Sequence, residues 1–175
     1  CVYPQSGENC DRISIVPGVF FQGGYVVDYD ASSQTGLIIA DSDILLGGRD
    51  TFKWGCRGTD VSLTADDSGM GTESTNAILE VCLAVPTAAS MCDSYVKNGF
   101  TDWVLPTSDD LEKIYLHRET LRAVDGFKDL TSDMYWSSSQ NSADEAKGMR
   151  WTEGNISSED KLSEHRLRAV RYVSF

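Results

Sequence analysis

The run Thr101 to Leu116, T-D-W-V-L-P-T-S-D-D-L-E-K-I-Y-L, constrains the fold more than any other stretch of this chain. Trp103-Val104-Leu105 reads as a short apolar strand that ends at Pro106, and a helix start follows at once. Thr107 is a good N-cap and Asp110, three residues on, makes an acidic variant of the capping box, with Ser108 and Asp109 also in the first turn, where the helix dipole favours them. Leu111, Ile114 and Tyr115 then fall on one helical face, while the spacing lets Asp109 pair with Lys113 on the other. An apolar helix face needs a sheet to cover, so the pattern is a strand-turn-helix corner of an α+β domain.

The rest of the chain supplies that sheet. Val19 to Tyr29 and Leu37 to Ala40 are β-branched and aromatic, with Asp30 to Gly36 as a polar turn, and read as a hairpin. Its G-G-Y-V-V-D segment lacks the G-x-G-x-x-G spacing of a nucleotide fingerprint. Asp41 to Met70 reads as loop anchored by Trp54. Thr75 or Asn76 caps a first helix through Ile78, Leu79 and Cys82, interrupted by Pro86. Thr87 caps a second helix through Met91, Cys92, Tyr95 and Val96, ended by Asn98-Gly99. Beyond Leu116, Met134-Tyr135-Trp136 reads as a strand. Ser137 to His165 reads as polar and loop-rich with one strand at Gly148 to Trp151, and Arg166 to Val173 as a closing strand. Residues 1–17, with Cys1, Cys10, two prolines and a strand at Ile13 to Val16, form an extended leader, and residues 18–175 a single domain.

A chain of 175 residues is long enough to bury one core unaided. It contains no apolar run long enough to span a membrane, and its start at Cys1 suggests a mature or trimmed form. The formal charge of -12 disfavours nucleic acid, anionic membranes and polyanionic glycans as partners. All five cysteines lie in the first 92 residues, without a C-x-x-C motif and far from His117 and His165, which argues against a zinc site or thioredoxin-like chemistry and for disulfides in an oxidising compartment. Cys82 with Cys92 is the expected pair, both on a helical hairpin broken by Pro86. Cys1 is lipidated, intermolecular or free. Asp66, Asp67, Ser68 and Glu73 place oxygen donors in a short loop, either a calcium site or a solvated acidic loop, without EF-hand spacing.

Catalysis finds little support. Two histidines on distant segments and no G-x-S-x-G elbow leave nucleophilic chemistry without candidates, and although 27 acidic residues keep a glycosidase-type acid pair open, no aromatic-flanked pair stands out.

The D-W-x-L-P-T-x-x-x-L pattern from Asp102 to Leu111, Tyr135-Trp136-Ser137-Ser138-Ser139 and Arg168-Ala169-Val170-Arg171 recur in a bacterial domain family. Gly24 to Ala40, Trp54-Gly55-Cys56-x-Gly58-Thr59, Gly71-Thr72 and Thr75-Asn76 appear in the same order. Over residues 18–173 the chain therefore resembles the family named after the C-terminal domain of the Legionella collagen-like adhesin. That resemblance implies a C-type-lectin-like fold, small antiparallel sheets with two to three helices and long loops. Ser137 to His165 would then carry ligand contacts, through Ser138, Gln140, Asn141, Arg150, Trp151, Glu153 and Asn155. Amides, carboxylates and guanidinium groups give directional hydrogen bonds, and Trp151 serves either as a stacking platform or as core. Trp103, Leu105, Pro106, Thr107, Trp136 and Arg168 would hold the loops in place. The E-P-N or Q-P-D loop and the W-N-D triplet of calcium-dependent lectins are missing, so calcium-mediated sugar capture is not implied. The sulfated ligand of the family's adhesin does not carry over to so acidic a chain. What the resemblance implies is a non-catalytic recognition module, secreted or on a bacterial surface, that binds a surface glycan or protein. The alternative is a structural subunit or head of a surface fibre or homo-oligomer, self-associating through residues 1–17.

Overall fold

The computed structural model describes residues 15–62 and 64–175. The first half contains β1 (Phe20–Phe21), β2 (Gly24–Asp30), β3 (Thr35–Ile39), β4 (Phe52–Lys53), α1 (Gly71–Val81) and α2 (Ala88–Asp93). The second contains α3 (Ser108–Leu116), α4 (Arg118–Arg122), β5 (Met134–Gln140), β6 (Glu145–Arg150), β7 (Asn155–Asp160), β8 (Glu164–His165) and β9 (Val170–Ser174). The architecture is α+β. The strands form an antiparallel sheet in the order β1-β2-β3-β9, a β4-β8 pair and an antiparallel β5-β6-β7 sheet. The expected strand at Ile13 to Val16 and the cysteines Cys1 and Cys10 lie wholly or partly outside the described residues, and Ile15 and Val16 join no strand.

The four-stranded sheet is covered on both faces, as its alternating side chains require. Tyr25, Leu37, Ile39 and Val170 pack with Leu111 and Ile114 of α3, the apolar face the sequence pattern marks out. Val26, Ile38 and Val173 meet Ile15, Val19, Phe21 and Phe175 on the opposite side. Val27 shares the α3 side with Tyr25, and the register shift between Val26 and Asp28 brings Asp28 to that side too, where it meets Lys113. Helix α3 starts as its sequence dictates: the Thr107 hydroxyl accepts the Asp110 amide at 3.2 Å, and the Thr107 amide donates to the Asp110 carboxylate at 2.9 Å. Two local expectations fail here. Lys113 pairs with Asp28 across the sheet at 2.6 Å instead of with Asp109, because the helix lies on β2 and brings that carboxylate within reach. Trp103 to Leu105 makes only one bridge, Val104 with Val170, since the Leu105 amide is taken by the Thr75 hydroxyl at 3.1 Å.

That same bond explains a second difference. Thr75 does not cap α1 but sits inside it, buried, and the helix begins at Gly71, whose amide donates to the Tyr172 hydroxyl at 2.9 Å. Thr87 does cap α2, in a reciprocal box with Ser90, yet that helix stops at Asp93, short of Tyr95 and Val96. The expected Cys82–Cys92 disulfide is absent. Cys82 at the end of α1 is bonded to Cys56, with a Cα–Cα separation of 5.4 Å, and Cys92 is a buried free thiol. The helix restarted at Thr87 places Cys92 in the core beside Ala88 and Ala89, while Cys82, in the same core, meets Cys56 of the 54–58 loop. That loop lies tight against α2: at Gly55, with φ +99°, a Cβ would come within 2.7 Å of Thr87 Cγ2.

The segment 137–165 is the largest correction, because it is a three-stranded sheet and not mainly loop. Ser137, Ser138 and Ser139 are buried along β5, where hydroxyls stand in for the apolar residues that normally reveal an inward-facing strand. Ser137 Oγ donates to the Lys147 carbonyl at 2.8 Å, and Ser139 Oγ to the Ala65 carbonyl at 2.8 Å. Two buried indoles tie this sheet to the first half of the chain. Trp136 donates to the Phe52 carbonyl and Trp54 to the Ser137 carbonyl, each at 2.8 Å. The closing strand is likewise shorter than expected, with Leu167 to Ala169 forming a buried crossing between β8 and β9.

In that crossing Arg168 is 1% exposed. Its Nε donates to Asp43 at 2.7 Å, Nη1 to the Ala40 carbonyl at 3.1 Å and Nη2 to the Lys128 carbonyl at 2.9 Å. Removing one partner of a buried pair strands the other, so Arg168→Met should cost about 3–5 kcal/mol, read from the urea unfolding midpoint. The Cys56–Cys82 bridge closes a span of 26 residues, and the double serine variant should lose about 3 kcal/mol by the same measurement without reductant. Peptide mapping of unreduced protein should return the Cys56–Cys82 linkage, with Cys92 alkylated only after unfolding.

Candidate functional site

The β6–β7 hairpin gathers several of the residues singled out from sequence. Arg150 and Asn155 face each other where the strands meet the turn, and Glu153 and Gly154 both donate backbone N–H groups to the Arg150 carbonyl, at 3.1 and 2.8 Å. Gly154, at φ +68°, lies directly on the Tyr115 ring, where a Cβ would come within 2.2 Å of its carbons. The turn is thereby pressed onto the end of α3. Trp151 is enclosed between Tyr115 and Tyr135, with ring centroids 5.3 and 6.0 Å away, and is only 7% exposed. It is a wall of the core, not an open stacking platform.

On either side of this turn the surface is hollow. One concavity of about 360 Å³ is lined by Asp133, Arg150, Glu153, His165 and Arg166, with Thr51 on its rim. Its neighbour, about 260 Å³, is lined by Tyr115, Arg118, Arg122, Asp129 and Trp151. Both include Ser132 and Thr152, and the Thr152 hydroxyl donates to the Ser132 carbonyl at 3.0 Å, forming the ridge between them.

Each cation here has an acidic partner. Arg150 pairs with Glu159, and Arg166 with Asp133 at 2.6 Å and Asp50 at 2.8 Å. Arg122 reaches Glu119 at 3.4 Å and Asp129 at 3.7 Å, while Arg118 lies over the Tyr115 ring at 4.0 Å. The Arg166 guanidinium holds the Asp133 carboxyl below the usual range. His165 packs edge-on against Trp136 at 4.6 Å, and burial depresses its pKa, a shift that Glu159 and Asp133 oppose and Arg150 reinforces. Its Nε2 is buried without a hydrogen-bond partner among the described residues. The site is a mosaic of directional donors and acceptors with little net field.

Not all of the sequence-read residues come together. Gln140 and Asn141 lie at the other end of the sheet. At ~3.4 Å per residue, the strand β6 puts them roughly 20 Å from the β6–β7 turn. Asn141 donates to Glu145 at 2.9 Å, and Ser138 is buried with its hydroxyl unpartnered among the described residues. Gln140 points into a separate network with Lys161 and Asp60. Trp103, Leu105, Pro106, Thr107, Trp136 and Arg168 are all buried, and the Pro106 carbonyl accepts the Ser138 amide at 2.7 Å. The calcium candidates do not converge. Asp66 is bound to Lys147 and to the Ser108 hydroxyl, Glu73 stands in the first turn of α1, and among the described residues no three acidic, histidine or cysteine side chains are placed to hold a metal ion. Asp133, His165 and Arg166 were missed as lining residues because they come from segments flanking the hairpin, and only the tertiary fold brings them to it.

A larger concavity of about 410 Å³ opens between the four-stranded sheet and α3, lined by Asp28, Ser68, Lys113 and Tyr172. Its polar groups are engaged with each other or with the core, Lys113 with Asp28 and Tyr172 with Asp110.

No curated protein matches the chain. One family profile, described as the Lcl C-terminal domain, matches residues 50–171. Residues 18–49, outside that match, contribute β1, β2 and β3, and β9, which begins just before the match ends, completes their sheet. With a match over more than half its length, covering the capped α3 corner, the buried serines of β5 and the Arg168 crossing, this chain belongs to the Lcl C-terminal domain family.

Proposed function

We propose that this is a non-catalytic, extracellular recognition domain of adhesin type that binds a surface glycan or protein in the double concavity at the β6–β7 hairpin. Family membership supports a surface-associated, adhesin-like role on a bacterium. Among the described residues, no helix is long and apolar enough to cross a membrane. The observation that carries the site is the meeting of Arg150, Glu153 and the neighbouring hydroxyls of Thr51, Ser132 and Thr152 in one hollow. Fixed ion pairs beside hydroxyls offer directional hydrogen bonds at low net charge, which suits an uncharged sugar or a mixed-charge protein surface better than a polyanion. A C-type-lectin-like character belongs to this same reading. So does the absence of catalysis, supported by the placement of His117 at the end of α3, His165 edge-on against Trp136 and Cys92 in the core.

One observation favours the assembly reading, a fibre or homo-oligomer subunit joined through residues 1–17. Val81, Leu83 and Val85 project from the α1–α2 connection at 46%, 85% and 75% exposure, beside a half-exposed Leu162. A monomer gains nothing from such a surface. Loss of oligomers on deleting residues 1–17, with folding retained, would support assembly, and an unchanged state would remove the leader from it.

Binding of the oxidised domain to a broad glycan array, with calcium and again with chelator, tests the main reading. The expected result is a chelator-insensitive signal that falls about tenfold or more, at least ~1.4 kcal/mol, in Arg150→Ala while the melting temperature holds. An array blank in both conditions would transfer the weight to a protein partner or to assembly.

A further inference from the structure

Lys161 is a lysine with no exposed surface, an unusual state for this residue type. It follows β7, and its Nζ lies 4.5 Å from the centre of the Trp54 ring, donating to the Thr59 carbonyl at 2.9 Å and to Gln140 Oε1 at 2.6 Å. No carboxylate pairs with it directly among the described residues. Burial lowers its pKa, partly opposed by Asp60 and Asp144, so the free amine is easier to reach than in solvent.

The amide it touches is polarised from two sides. Gln140 Oε1 also accepts the Val61 backbone N–H at 3.0 Å, and Gln140 Nε2 donates to the Asp60 carboxylate. These three partners fix the orientation of the amide, because only the oxygen can accept from both Val61 and Lys161. Nζ is 2.6 Å from Oε1. With a C=O bond of about 1.23 Å, it lies at most about 3.8 Å from the amide carbon, against the roughly 3–3.5 Å of a near-attack arrangement.

We propose that Lys161 and Gln140 form an intramolecular isopeptide bond, with Asp60 as the proton carrier. The neutral Nζ attacks Cδ of Gln140, and the charge that develops on Oε1 is held by the Val61 N–H, the role an oxyanion donor plays in acyl transfer. Asp60 passes the proton lost from Nζ to Nε2, the Cδ–Nε2 bond breaks and ammonia leaves. One C–N bond forms, one breaks and nothing is oxidised or reduced. The cross-link joins the end of β5 to the end of β7 beneath the 59–61 loop, closing the edge of the three-stranded sheet opposite the proposed ligand groove. It is independent of ligand binding.

Intact-mass measurement of the purified, reduced chain tests this. The expected mass is that of the sequence less one ammonia, with a branched tryptic peptide joining the Lys161 and Gln140 segments. Lys161→Arg, Gln140→Ala and Asp60→Asn should each restore the mass appropriate to their own sequence. Asp60→Asn keeps both reacting residues, so it separates the chemistry from simple loss of a partner. Full sequence mass in the wild-type chain, measured on protein whose circular dichroism and melting confirm folding, overturns the proposal. So does an ammonia loss that mapping places elsewhere or that persists in Lys161→Arg.

Discussion

Arg168 lies out of water with Nε on Asp43 at 2.7 Å, and a cation held so deeply requires every donor to find an acceptor. The acceptors come from two separate segments: the connection after β3, which supplies Ala40 and Asp43, and the connection after α4, which supplies Lys128. One side chain therefore fixes where the irregular parts of the fold sit. Asp43 extends the arrangement, receiving the Tyr135 hydroxyl at 2.9 Å and lying 3.6 Å from Arg166. Tyr135, its pKa pushed up to about 12 by burial and by Asp43, stays a neutral donor there. Arg166 in turn forms a wall of the hairpin groove, so the groove inherits its shape from the buried cation.

A second buried junction performs the same service for the helices. Asp110 completes the cap of α3, accepts the Ser68 hydroxyl at 2.6 Å and receives the Tyr172 phenol from β9. Tyr172 also takes the first amide of α1. The start of two helices and the last strand thus meet at one carboxylate, which is why the capping residue is wholly buried instead of lying at a solvated helix end.

The features legible in the sequence were those set by neighbours along the chain. The capping box at Thr107, the Thr87 cap and the β2–β3 hairpin depend on residues within a few positions and needed no tertiary information. Expectations failed where a distant partner competed. Thr75 reads as a cap because its hydroxyl could serve its own helix, but Leu105 claims it. Cys82 and Cys92 read as a pair because both sit on one helical hairpin, yet Cys56, 26 positions earlier in the chain, claims Cys82. The run Ser137–Ser139 hides a buried strand, since hydrogen bonding replaces hydrophobicity as the reason to face inward. The groove was half legible. Arg150, Trp151 and Glu153 line it from one turn, whereas Asp133, His165 and Arg166 reach it only through the fold, and Gln140 faces a different interior.

The pairing of charges around the groove has a consequence for how such domains behave when crowded. Four arginines and five carboxylates line the two hollows, so most of the net charge of -12 resides elsewhere on the surface. That outlying charge pushes copies apart over a screening length of about 8 Å at physiological ionic strength. Salt therefore governs how densely the domains can be arrayed, while a ligand of the proposed groove would meet neutralised pairs, whose short-range contacts salt hardly reaches.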